Sequence, residues 1–172
     1  MIQPYCFAYT SVITAEIPEG ITVLRDHTFY HCYSLESIVL PSTLKEIEGT
    51  CFTQTTSLKN ILLPYGLAKI GTYAFNNGKL DSINIPSTVT DLSDHSFGGM
   101  SSLKRVTFES PISGNAILPS IHNSAFADSG PSNSSGELLE FNVPWTAEQH
   151  KEKWSENFAW GAKNYIFNWE VK

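Results

Sequence analysis

Few side chains in this 172-residue chain have a type and spacing that could do chemistry. The histidines, His27, His31, His95, His122 and His150, are dispersed, and no H-E-x-x-H pattern sets two of them on one helix face. His27 and His95 each stand two residues before a phenylalanine, which reads as a recurring turn position, and His31, His122 and His150 read as isolated. Cys6, Cys32 and Cys51 are irregularly spaced with no C-x-x-C pair, which excludes the zinc and redox motifs. They read as small buried hydrophobes, with a Cys32–Cys51 disulfide as the alternative. Glu46 and Glu48 flank Ile47, and Asp91 and Asp94 lie around Leu92, so both carboxylate pairs read as solvated. There is no G-x-S-x-G, Walker loop or G-x-G-x-x-G. Asn133-Ser-Ser is a glycosylation acceptor only if a eukaryote secretes the protein. The chain reads as non-enzymatic, with no catalytic, cofactor-binding or metal-binding residue.

The charge balance narrows the partners. The net charge of −6 works against nucleic acid and anionic membranes. It hides no basic stripe, because residues 1–110 hold seven basic and ten acidic side chains and residues 111–172 hold four and seven. Apolar runs are far shorter than the roughly 20 residues a bilayer-spanning helix needs, so no membrane insertion is expected. The opening Met1-Ile-Gln-Pro-Tyr-Cys-Phe-Ala-Tyr lacks the basic start and long apolar stretch of a secretory signal peptide.

What must position any binding surface is an internal repeat. Phe29, Phe52, Phe75 and Phe97 recur at intervals of 23, 23 and 22, and Pro18, Pro41, Pro64 and Pro86 keep the same intervals. Leu35, Leu58, Leu80 and Leu103 open each unit; Ile38, Ile61, Ile83 and Val106 follow three residues later. Leu44, Leu67 and Val89 stand eight residues before their phenylalanine, and Ile47, Ile70 and Leu92 five before it. The unit L-x-x-I-x-[LI]-P-x-x-[LIV]-x-x-[LI]-x-x-x-x-F carries a short strand that proline ends, because proline has no N–H for a ladder. A second apolar pair then turns the chain, and the phenylalanine drops inward. One such coil cannot bury both faces, so coils must stack at the strand spacing of about 4.8 Å into a solenoid with parallel strands. The phenylalanines then form an aromatic spine.

The array is expected to fill residues 1–144 with about five coils. Val12 to Pro18 reads as an N-terminal half repeat acting as a cap. Leu118, Ile121 and Phe126 continue the columns after an insertion at Ser110–Ala116, and residues 138–144 repeat the strand-then-proline signature. The outward strand positions are uncommitted by the fold: Ser37, Asn60, Ser82 and Arg105, and beside them Val39, Leu62, Asn84 and Thr107. They grade from apolar to polar and basic. Such an extended face is where solenoids commonly bind, so these eight are the candidate partner-binding residues.

Residues 145–172 hold all four tryptophans, Trp145, Trp154, Trp160 and Trp169. Thr146 and Gln149 make a capping box that starts a helix, on which Trp154 and Phe158 share one face. Gly161 suits the position past its end, and Tyr165, Phe167, Trp169 and Val171 alternate as a half-buried strand. This segment reads either as a cap on the last coil or as an attachment surface offering Trp145, Trp160 and Trp169 to a partner.

The stretch Leu35 to Phe52, with Cys51 before the phenylalanine and Cys32 in a column shared with Thr55, Gly78 and Met100, resembles the BspA-like leucine-rich repeats. The likeness runs over roughly residues 12–126. Val143-Pro-Trp145 and Trp160-Gly-Ala162 are similar to tails joined to such repeats in gut bacteria and their phages. The resemblance implies a right-handed leucine-rich-repeat coil, mainly β with short helical turns, ended by a helix–strand cap. It implies adhesion at an extracellular surface without catalysis or cofactors, with a protein or surface glycan as partner. The alternative it raises is a structural or receptor-binding subunit of a phage virion, forming a homo-oligomer or larger assembly.

Overall fold

The computed structural model describes residues 2–110, 118–131, 136–154, 160–162 and 164–169. In chain order the elements are β1 (Thr14–Glu16), β2 (Val23–Leu24), β3 (Ser37–Val39), β4 (Glu46–Ile47), β5 (Lys69–Ile70), β6 (Ser82–Ile85), β7 (Asp91–Leu92), β8 (Arg105–Phe108), β9 (Ser120–Ile121), β10 (Leu139–Asn142), α1 (Ala147–Trp154) and β11 (Tyr165–Asn168). All the strand pairings among these are parallel.

Each coil crosses the solenoid on two faces. The strand before the proline builds one face, in which β1 pairs with β3 and, further along, β6, β8, β10 and β11 lie side by side. The two-residue strands after the proline build the other, a continuous sheet in the order β2-β4-β5-β7-β9. Strands this short do not persist alone; stacking supplies the partners on both sides. Ile38, Ile61, Ile83 and Val106 are buried from the first face, and Leu24, Ile47, Ile70, Leu92 and Ile121 from the second.

The third side of each coil is a six-residue turn centred on the phenylalanine. Its bonds run from residue i+3 back to i, as from Tyr30 N–H to His27 O at 3.2 Å and from Cys32 N–H to Phe29 O at 3.2 Å, and left-handed residues bracket each ring. Two residues before it stand Tyr5, His27, Thr50, Tyr73 and His95, with φ between 49° and 59°. Two residues after it stand Tyr9, His31, Gln54, Asn77, Gly99 and Asp128, all also at positive φ. This region is costly for side chains other than glycine. It is held by a further backbone ladder: Phe29 N–H donates to Cys51 O at 2.8 Å, Phe52 to Ala74 at 2.6 Å and Phe75 to Ser96 at 2.7 Å. Coils approach so closely at Gly71 that a Cβ there would lie 2.8 Å from the backbone of Glu48 and Gly49.

The spine extends one coil further than the sequence reading placed it. Phe7 stacks on Phe29, so six rings, Phe7, Phe29, Phe52, Phe75, Phe97 and Phe126, lie 5.0–5.3 Å apart and within 11° of parallel. Ile2, five residues before Phe7, packs half-buried on the core in the matching column. Residues 2–18 therefore include a turn of the coil rather than only a half-repeat cap. Cys32 and Cys51 are buried free thiols, and burial pushes the Cys51 thiol strongly up; Cys6 is exposed and free, unlike the buried thiol expected.

At the other end, Thr146 N–H donates to Gln149 Oε1 at 2.9 Å and Gln149 N–H to Thr146 Oγ1 at 3.3 Å, which is the capping box that opens α1. Phe126 N–H donates to Trp160 O at 2.9 Å and Asp128 N–H to Gly161 O at 3.2 Å, so Trp160-Gly161 occupies the place of the next coil's turn. The expected Trp154–Phe158 pair, Val171, the 111–116 part of the insertion and the Asn133 sequon lie outside the described side chains and residues.

Candidate functional site

The pre-proline strands β3, β6 and β8 point six of the eight candidate residues outward, because alternate residues of a strand point to opposite sides; Asn60 and Leu62 stand outward in the corresponding non-strand segment. Ser37 and Val39 flank the buried Ile38 and stand outward in β3. Ser82 pairs with Arg105 and Asn84 with Thr107 in the register of β6 and β8. Ser37, Val39, Asn60, Leu62, Asn84 and Arg105 are exposed; Ser82 and Thr107 are half-buried. Val39 is 60% and Leu62 is 86% exposed, in the same column of neighbouring coils. Single exposed aliphatics are ordinary, but two at the same position of adjacent coils are informative.

The face is not one continuous sheet. Residues 60–63 form no strand, and β3 and β6 belong to separate sheets on either side of them. Asp81 N–H still donates to Lys59 O at 3.1 Å, so the coil keeps its place at its near end. Leu62 thus projects from a seam between two sheets.

The C-terminal half of the face is polar and internally bonded. Arg105 Nε donates to Glu140 Oε2 at 2.9 Å. Asn142 Nδ2 donates to Thr107 Oγ1 at 3.3 Å, and Asn168 Nδ2 to Asn142 Oδ1 at 2.7 Å. Glu140, Asn142 and Asn168 therefore continue the surface beyond the eight residues. The alternation in residues 138–143 was the signal for the first two. Trp145 and Trp160 are buried; Trp160 is ringed by Phe108, Phe126, Phe141 and Phe167, Trp145 packs on Phe108, and Trp169 is half-buried on Phe167.

The second sheet's face carries a shallow hollow of about 330 Å³ beside Asp26, Glu46, Glu48 and Lys69. Its charges are already paired: Arg25 with Glu48 at 2.8 Å and Lys69 with Glu46 at 3.1 Å, the latter raising the Lys69 pKa. Glu46 and Glu48 are half-buried and ion-paired, less open to water than the spacing suggested.

His122 is not isolated. It lies with Asp94, His95 and Ser124, residue types that could form a nucleophilic site. The arrangement differs: Ser124 Oγ donates directly to Asp94 Oδ1, and His95 Nδ1 meets the same oxygen at 2.6 Å. His122 Nδ1 meets Ser124 Oγ from the side at 2.8 Å. The serine hydroxyl thus meets the carboxylate directly, and His122 Nδ1 also lies 3.3 Å from Asp94 Oδ1, so the Ser–His–Asp order of a nucleophilic triad is not formed. Among the described residues no three His, Cys, Asp or Glu side chains are grouped to hold a metal ion, and no helix is long and apolar enough to cross a membrane.

The hydrogen bond from Ser124 holds the Asp94 carboxyl below its usual range, with His95 adding to it against the opposing effect of partial burial. A carboxylate depressed by folding stabilises the protein above its unfolded pKa, and that contribution is lost as pH falls through the lowered value. Asp94→Asn should therefore lower the melting temperature near neutral pH. The gap to wild type should narrow as pH falls below the ordinary aspartate value of about 4 and go on closing through the lowered value. Melting curves across that interval check this, and a gap independent of pH contradicts it.

Comparison with known proteins agrees with this architecture. A family model described as BspA type leucine rich repeat region matches residues 1–132 in six copies. No curated protein is significantly similar in sequence. Among solved structures, a T. pallidum leucine-rich repeat protein is 26% identical with a TM-score of 0.60, covering 60% of this chain and 50% of that one. The pneumococcal vaccine antigen PcpA is 21% identical with a TM-score of 0.68, covering 96% of this chain and 44% of that one. A Bacteroides ovatus leucine-rich repeat protein is 21% identical with a TM-score of 0.51, covering 77% and 49%. The chain thus spans about half the length of the solved proteins it resembles. With six recurring units, a stacked phenylalanine spine and a family match over residues 1–132, the chain belongs to the BspA-type leucine-rich repeat family.

Proposed function

We propose that this chain is a non-enzymatic recognition module of a surface adhesion protein, binding a protein partner along the pre-proline strand face. The observation that carries the reading is the exposed Val39–Leu62 column at the seam. Polar side chains flank it, Glu16 beside Val39 and Asn84 one coil past Leu62, and the bonded pairs Thr107–Asn142 and Arg105–Glu140 follow further along. An apolar centre with a polar rim is the anatomy of a protein interface. The rigid stack presents it without reorganisation, which favours affinity. Residues 145–172 act in this reading as the end cap. Burial of Trp145 and Trp160 supports capping over an attachment role, and no observation on the molecule favours a virion subunit.

Leu62→Glu together with Asn84→Glu should weaken binding to immobilised extracellular-matrix proteins by more than about tenfold. The melting temperature should stay unchanged, since both side chains are exposed. Surface plasmon resonance with a paired thermal melt checks this, and equal affinity in the folded variant rejects the face.

A further inference from the structure

The turn edge of the first two coils carries a feature that the strand face lacks. Six rings form an unbroken chain of contacts there. Tyr5 stacks on His27 with centroids 4.4 Å apart, and His27 meets Tyr30 edge-on at 4.9 Å. Tyr9 meets Tyr30 at 5.3 Å and His31 at 5.2 Å, and His31 meets Tyr33 at 5.3 Å. Although the sequence reading took His31 as isolated, it lies at the centre of this group. Tyr5, Tyr9 and Tyr33 are 54%, 66% and 49% exposed. These are large apolar rings left in water, and their mutual edge contacts hold them in place before any ligand arrives.

The polar groups of the patch select the ligand class. Residues 5–9 and 27–33 contain no Lys, Arg, Asp or Glu. The adjacent Asp26 is engaged by His27 Nδ1 at 2.5 Å. An anionic ligand finds no cation here, and a cationic one finds no uncommitted carboxylate. What the patch offers is phenol, imidazole and amide, each able to donate and accept. Tyr33 Oη lies 2.6 Å from His31 Nδ1 and 3.3 Å from Gln54 Oε1. Covering the exposed phenols with an apolar protein surface would take their remaining hydrogen-bonding capacity out of water at a desolvation cost. Sugar hydroxyls also donate and accept, and the C–H face of a pyranose ring is apolar and flat.

We propose that this turn edge binds a neutral oligosaccharide, with pyranose rings lying on the exposed tyrosines and hydroxyls bonded to the phenol, imidazole and Gln54 amide groups. The site is separate from the strand face, so each can fail without the other.

The test titrates chitotetraose, cellotetraose and mannotetraose separately into the full chain, read by calorimetry and by shifts of the tyrosine ring signals in NMR. At least one should bind in the millimolar range or tighter and shift the Tyr5, Tyr9 or Tyr33 signals. The Tyr9→Ala/Tyr33→Ala double variant should weaken it by about tenfold or more, while Tyr9→Phe/Tyr33→Phe, which keeps the stacking, should lose less. Leu62→Glu with Asn84→Glu should leave sugar affinity unchanged. Absence of binding by all three sugars at millimolar concentration, or binding that moves no tyrosine signal or survives the alanine substitutions, overturns the proposal.

Discussion

Replacing Phe52 with alanine should destabilise the protein by about 3–5 kcal/mol, the range for emptying a fully buried aromatic site. In a chain of this size that lowers the melting temperature by on the order of 10 °C. Phe52 is completely buried, between Phe29 at 5.3 Å and Phe75 at 5.0 Å, with interplanar angles of 3° and 9°. The cost of such a cavity depends on how far its walls can collapse. Here they cannot readily close along the stack, because the post-proline sheet and the turn ladder fix the coil spacing, the latter including Phe29 N–H to Cys51 O and Phe52 N–H to Ala74 O. The loss should therefore lie toward the upper end of the range. Phe7→Ala is the internal control: that ring is 36% exposed and stacks on Phe29 alone within the spine, so its removal should cost less than half as much.

The same substitution tests cooperativity. In a solenoid each coil touches only its neighbours, so a weakened middle coil uncouples the two ends. All four tryptophans lie between residues 145 and 169, so their fluorescence reports the C-terminal end while circular dichroism reports the whole stack. In Phe52→Ala the two melting curves should separate, with the tryptophan signal melting later. An unchanged midpoint by both probes would refute the spine.

How far the molecule was readable from its residues follows from what each feature needs. The columns were legible because burial demands apolar side chains at fixed intervals, and Leu24, Ile47, Ile70 and Leu92 stand where the spacing put them. The coil at Phe7 was harder to see, since Ile2 is its one matching aliphatic; the Cys6-Phe7 pair, like Cys51-Phe52, was the available signal. The turns were not legible. Left-handed backbone is advertised by glycine or asparagine, but apart from Asn77 and Gly99 those positions hold other residues, mostly tyrosine and histidine, kept there by ladders made with other coils. For that reason the aromatic cluster of the first two coils, which joins residues more than twenty apart, emerged from the structure alone. The seam at residues 60–63 is equally nonlocal, because Asn60-Ile-Leu-Leu-Pro64 matches Ser37-Ile-Val-Leu-Pro41 column by column. The outward strand residues were legible as a face from alternation, while their bonds to Glu140 and Asn142 required knowing that β10 lies beside β8.

Trp160→Ala should be the second large loss, again about 3–5 kcal/mol, and it bears on what the C-terminal segment is for. Trp160 is fully buried and meets Phe108 at 5.8 Å, Phe126 at 6.1 Å, Phe141 at 5.3 Å and Phe167 at 5.6 Å. Its carbonyl accepts the Phe126 N–H, so its backbone extends the turn ladder while its ring covers the end of the spine. The residue sits at a φ of 49°, a conformation that a bulky side chain adopts only when its surroundings over-determine it. A tryptophan kept for attachment would be dispensable to folding, whereas one that closes the stack is not. Thermal melts and analytical ultracentrifugation of Trp160→Ala separate the two. A midpoint lowered by on the order of 10 °C in a chain with unchanged association supports the cap. A wild-type midpoint with a lost assembly would instead make the segment an attachment device, and the array would then need another explanation for how its last coil is shielded.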